Sequence, residues 1–115
     1  MKKIYHLSTC STCVRIINEL QPSSDVILQD IKTEKITPEQ IDKMKELSGS
    51  YESLFSRRAM KYKRMGLRDK KLDESDYRQL ILDEYTFLKR PVIIADNQIF
   101  IGNSNKVVEA AALVL

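Results

Sequence analysis

The sequence predicts an α/β domain built on a mixed four-stranded sheet, with helices on both faces and a helical insertion. Three observations carry this. Strand-like and helix-like stretches alternate through the chain. The first two strands are joined through a helix, the connection of a parallel βαβ unit. A strand hairpin centred on Asp96-Asn97 comes late, after a long helical stretch, and a last helix closes the chain.

Lys3 to Leu7 opens with strand formers, Ile4 and Tyr5. Ser8 and Thr9 supply turn and N-cap chemistry, and Val14, Ile16, Ile17 and Leu20 form the apolar stripe of a helix. Pro22-Ser23-Ser24 interrupts, and Asp25 to Asp30 reads as the second strand, followed by a connector from Ile31 to Ile36. Thr37-Pro38-Glu39-Gln40 starts a helix: Thr37 caps, Pro38 takes the first position and Gln40 completes a capping box. Ile41, Met44 and Leu47 share one face, and Ser48-Gly49-Ser50 ends it. Tyr51 to Ser56 predicts a short helix. A further helix starts at Asp73 or Ser75, carries Tyr77, Leu80 and Ile81, and is expected to run to Leu88. Lys89 to Ala95 is a β-branched strand entered through Pro91, and Gln98 to Gly102 returns as its hairpin partner. Val107 to Leu115 is an apolar last helix. No internal repeat, linker or low-complexity tract interrupts the series, so one domain over residues 1–115 is expected.

The chemistry gathers at Cys10. A cysteine where a strand turns into a helix sits beside unpaired backbone N–H groups and the positive end of the helix dipole. Both favour the thiolate, which is the nucleophile. Cys13 lies one helical turn later, within reach of an oxidised Cys10. A Cys-x-x-Cys can also be half of a zinc site, but the chain has no second cysteine pair and its one histidine is His6. A metal centre is therefore not expected. Nor is a structural disulfide, since it would close too small a loop to stabilise much.

Apolar content is an ordinary 43%, that of a folded globular chain. No stretch approaches the roughly 20 apolar residues of a membrane span. Met-Lys-Lys-Ile-Tyr-His lacks the apolar core of a signal peptide. A cytoplasmic protein is expected, and there thiols stay reduced and a cysteine pair is more often working than structural. The net charge of +3 is mild, but its distribution is uneven. From Arg57 to Lys71 the chain is rich in basic residues and Asp69 is the one acid, whereas Asp73 to Glu84 is acidic. Such a cluster suits an oxyanion, an acidic partner or nucleic acid, or simply forms a solvated face.

Three stretches together resemble the glutaredoxin-type arsenate reductase family, which also contains the Spx-type transcription regulators. They are Tyr5-His6 through Cys10-x-x-Cys13; Leu54-Phe55-Ser56-Arg57-Arg58 leading to Tyr62 and Gly66-Leu67; and Phe87-Leu88-Lys89-Arg90-Pro91-Val92-Ile93-Ile94. They span nearly the whole chain in the family's order and separations. The resemblance implies a thioredoxin-like fold with a helical insertion, and a cis Pro91 facing the active cysteine. It makes Cys10 the nucleophile that attacks arsenic, Arg90 an oxyanion holder, and His6 a residue that helps keep Cys10 ionised. It places one further oxyanion arginine at Arg57 or Arg58. Guanidinium suits these roles, because it offers a dianion charge-assisted, two-pronged hydrogen bonds. Arg90 could instead pair with a carboxylate such as Glu84.

Two features depart from the family's reductases. They carry another arginine after the last strand, where this chain has Gly102-Asn103-Ser104, and no arginine stands beyond Arg90. Cys13 stands where the Spx-type proteins have their second switch cysteine. The resemblance implies two alternative functions. One is a thiol-dependent oxidoreductase acting through Cys10 on an oxyanion or disulfide. It would have no bound cofactor and would take electrons from glutathione with glutaredoxin, or from thioredoxin through Cys13. The other is a redox-sensing regulator that binds RNA polymerase through a Cys10–Cys13 switch. Neither reading calls for a membrane or for direct binding to nucleic acid.

Overall fold

The computed structural model describes residues 1–115. The chain runs β1 (Lys2–His6), α1 (Ser11–Leu20), β2 (Val26–Asp30), α2 (Pro38–Ser48), α3 (Met60–Arg64), α4 (Glu74–Asp83), β3 (Val92–Ala95), β4 (Gln98–Ile101) and α5 (Asn105–Ala112). Short 3-10 turns cover Glu52–Leu54, Leu67–Asp69 and Tyr85–Phe87. Two compact units result: Met1–Lys35 with Arg90–Leu115, and Ile36–Lys89. The second is the helical insertion, lying in sequence between β2 and β3. No helix is long and apolar enough to cross a membrane.

The first unit holds the mixed sheet, in the order β2-β1-β3-β4. β1 and β2 are parallel, as a helical crossover requires, while β3 is antiparallel to both β1 and β4. Side chains alternate across the pleat. On one face Ile4, Val26 and Ile93 join Ala111 of α5 in a buried cluster, with Ile17, Leu20 and Phe100 packed against it. Tyr5, Gln29, Val92 and Ile94 belong to the opposite face and are buried too. Because β3 lies between two strands and both its faces are covered, all four of its residues are buried. That is why it reads as an unbroken apolar run. β2 is an edge strand and leaves Ile27 and Leu28 exposed. β3 is entered from Arg90–Pro91, whose peptide bond is cis, as expected.

Ser8 and Thr9 do not cap α1; Cys10 itself is the N-cap residue, with extended backbone at φ −95° and ψ 111°. The reason is the turn before it, in which the Cys10 N–H reaches back to the Leu7 carbonyl (3.0 Å) and commits Ser8 and Thr9 to the bend.

In the second unit α2 forms as its first residues dictate. Thr37 accepts from the Gln40 N–H (3.1 Å), and the Gln40 side chain accepts from the Thr37 N–H (3.1 Å). Asp73 and Asp76 build the same reciprocal cap on α4. The expected extension of α4 to Leu88 fails. The helix stops at Asp83, Glu84 is extended, and a 3-10 turn comes next. Tertiary packing overrides helical continuity here. Phe87 turns inward to stack on Phe55 (centroids 5.0 Å apart), while the backbone at Ser56 donates to the Phe87 carbonyl (2.7 Å). Tyr77 and Tyr62 complete the cluster around Phe55, at 4.9 and 5.9 Å.

Thr37→Ala removes an oxygen acceptor that only the side chain supplies. It is expected to lower stability by about 1 kcal/mol, with Thr37→Ser close to wild type. A urea denaturation series measures both.

Candidate active site

The end of β1, a three-residue turn and the start of α1 place Cys10 at the carboxyl edge of the sheet, the region where open α/β sheets carry their sites. Cys10 is partly exposed; Cys13, at the third helical position, is fully buried. Both are free thiols.

Their electrostatics separate them. Burial pushes the Cys10 thiol up, but several groups outweigh it. These are the Cys13 N–H, the Cys13 thiol, the Thr12 N–H and the positive charge of Arg90, and together they hold Cys10 below its ordinary value. The helix amides interact with the sulfur without forming a cap of full hydrogen-bond geometry. Cys13 moves the other way. Burial, and after it the neighbouring Cys10, push it up to about 11, against the opposing effects of the Leu7 backbone and Arg90. The two sulfurs are thus shifted in opposite directions, Cys10 toward the thiolate and Cys13 toward the thiol that hydrogen-bonds it.

Arg90 precedes the cis peptide to the buried Pro91, and its charge acts on both sulfurs. In the second unit Glu84 is engaged by Lys61 and Thr86. His6 ends β1 half-buried, in parallel register with Asp30 on β2. An open depression of about 690 Å³ borders the Cys10 loop, with Ser8, Thr9, Ser11 and Val14 among its walls. Arg15 and Glu19 also line it and pair with each other (2.8 Å).

Arg57 and Arg58 lie in the second unit, and their side chains differ in partners. The Arg57 guanidinium donates to Glu52 (2.7 Å) and to the Tyr77 hydroxyl (3.0 Å), and lies 5.7 Å from the Tyr77 ring centroid. Glu52, the largest influence, raises its pKa further. Arg58 is exposed and its guanidinium makes no hydrogen bond or ion pair. Arg57 is thus engaged with Glu52 and Tyr77 in the second unit, while Arg58 is exposed.

Asp30 is a residue that the sequence alone does not single out. Its carboxylate accepts from the Ser8 hydroxyl, the Ser8 N–H (3.4 Å) and the Lys32 N–H (3.1 Å). The Ser8 hydroxyl, ahead of the other influences, holds it below the usual carboxylate range. An acidic residue closing the strand beside the cysteine strand was the available signal.

The model of the ArsC family matches residues 5–111. Among solved structures, the YFFB protein superposes with a TM-score of 0.80 at 19% identity, over 97% of this chain and 99% of its own. An arsenate reductase (ArsC) related protein from Brucella melitensis gives 0.72 at 24% identity, over 95% and 92%. An arsenate reductase from Vibrio cholerae gives 0.74 at 18% identity, over 99% and 97%. No curated protein sequence matches the chain. At these identities the structures share the fold, which is thioredoxin-like.

Alkylation rates measured against pH check the two thiols. The Cys10 profile is expected to rise at lower pH than that of a free cysteine, near 8.5, and the Cys13 profile only toward about 11. Cys13→Ser keeps a donor and should leave the Cys10 profile nearly in place. Cys13→Ala removes it and should slow Cys10 alkylation at neutral pH by roughly tenfold or more, the worth of one hydrogen bond to a charged group.

Proposed function

The chain belongs to the ArsC family, and from that premise we propose that it is a thiol-dependent reductase of arsenate or a related oxyanion, with Cys10 as the nucleophile. The observation that carries the reading is the opposite tuning of the two cysteines: the first amides of α1, the Cys13 thiol and Arg90 lower Cys10, while burial raises Cys13. The Cys10 thiolate attacks arsenic, and a protonated arsenate oxygen leaves as water. A second thiol then attacks the Cys10 sulfur. The electron pair of the sulfur–arsenic bond stays with arsenic, arsenite departs, and the two sulfurs are left as a disulfide. Arsenate and two thiols thus give arsenite, water and one disulfide. Arg90 supplies a guanidinium beside the thiol that can hold the oxyanion and oppose the negative charge growing on it during attack. Glutathione with glutaredoxin provides the second thiol, or Cys13 does so and thioredoxin reduces the pair.

A redox-sensing regulator is the second reading. The contact between the Cys10 and Cys13 sulfurs favours it, as does the absence of any arginine after Arg90. In that case oxidation joins the two sulfurs and changes affinity for RNA polymerase.

Arsenate turnover separates the two. With glutathione, glutaredoxin and nicotinamide-driven recycling, the wild-type protein is expected to turn over and Cys10→Ser to be inactive. Arg90→Ala is expected to lower kcat/KM by roughly a hundredfold, and Arg90→Lys to recover only part of the loss, since a point charge replaces a fork. Absence of turnover with either electron donor, together with redox-dependent retention on RNA polymerase, overturns the enzyme in favour of the regulator.

A further inference from the structure

The turn that carries Cys10 has few holds of its own. Between the last residue of β1 and the first of α1, Leu7 is buried while Ser8 and Thr9 are exposed. The Cys10 N–H to Leu7 carbonyl bond closes the bend from within. From outside, the hold comes from β2. One oxygen of Asp30 accepts from the Ser8 N–H (3.4 Å), the other from the Ser8 hydroxyl. Asp30 is itself anchored by the next few residues of the chain. The Lys32 N–H donates to its carboxylate (3.1 Å), and the Glu34 N–H (2.8 Å) and Thr33 hydroxyl (3.4 Å) donate to its carbonyl. Beside it, the His6 carbonyl takes the Ile31 N–H (2.9 Å), locking the ends of β1 and β2 in register.

We propose that Asp30 is a positioning residue for the nucleophile: by gripping both the amide and the hydroxyl of Ser8 it fixes the Leu7–Cys10 turn and keeps the Cys10 sulfur over the first amides of α1. The inference rests on the reading of Cys10 as the reactive thiol, and it assigns Asp30 no contact with substrate. Coulomb's law sharpens the claim. A carboxylate near a thiol, taken as a charge alone, works against the thiolate. Removing it would then make Cys10 more acidic. A positioning role has the opposite sign: once the turn is released the sulfur leaves the helix amides, and the thiolate loses what stabilises it.

The test is the pH profile of Cys10 alkylation by iodoacetamide, with the modified residue assigned by mass spectrometry, in Asp30→Ala, Ser8→Ala and the double variant. Each single change is expected to shift the profile to higher pH and to slow modification at neutral pH several-fold. The double variant should be no worse than either alone, because both remove the same link. A profile that stays in place or moves to lower pH in Asp30→Ala overturns the proposal, as does full additivity in the double variant. Should Asp30→Ala fail to fold, Ser8→Ala carries the same prediction. Alkylation needs no arsenate, so a failed turnover assay leaves this result readable. A flat profile here likewise leaves the turnover assay standing.

Discussion

Cys10 sits where a buried parallel strand hands over to a helix, and the properties of the site descend from that position. β1 is pinned on both sides, by β2 in parallel and β3 in antiparallel register, so its carboxyl end is a fixed point. The turn from Leu7 to Cys10 starts from that point and is held through Ser8 by Asp30, and the cysteine arrives as the N-cap residue. A cap side chain normally brings an oxygen to the free amides of the first turn. Here it brings sulfur, and the amides that would have satisfied a hydroxyl or carboxylate stabilise a thiolate instead. Because α1 packs through Ile17 and Leu20 on the same cluster as Ile4 and Ile93, the helix cannot swing away from the strand that feeds it.

The second unit obeys a different constraint, aromatic packing around Phe55. Phe87, Tyr77 and Tyr62 approach it from three segments, and the cost of gathering them is an α4 that ends early and a 3-10 turn in its place. Arg57 belongs to this arrangement: its guanidinium lies by Tyr77 and is claimed by Glu52. An arginine in a motif is thus not by itself a ligand-binding arginine. Its surroundings decide how many of its donors are already engaged, and here a carboxylate and a ring engage Arg57.

Features set by neighbouring residues were legible in the sequence. Thr37-Pro38-x-Gln40 declares a helix start because all its partners lie within four residues. The β-branched run before Asp96-Asn97 declares a central strand and hairpin for the same reason. The cis Arg90–Pro91 bond was legible only through the resemblance to a family, since nothing local demands it. What escaped was non-local. The end of α4 depends on Phe87 finding Phe55, 32 positions earlier in the numbering. Ser8 looked like a helix cap, yet its hydroxyl is bound to Asp30 across 22 residues. The Cys-x-x-Cys spacing announced two cysteines on one helical turn. That one is fully buried and the other partly open depends on which side of α1 meets the core.

That difference in burial has a kinetic consequence for any disulfide formed between the two on this backbone. Thiol–disulfide exchange favours attack that expels the more acidic thiol, so departure of Cys10 is the faster route. Expelling Cys10 requires the incoming thiol to strike the sulfur of Cys13, which has no exposed surface. The accessible target is Cys10, and striking it expels Cys13, a poor leaving group with its pKa near 11. Leaving-group ability and access thus oppose each other. An oxidised pair would resist a small thiol and persist until a reductant could open the first turn of α1.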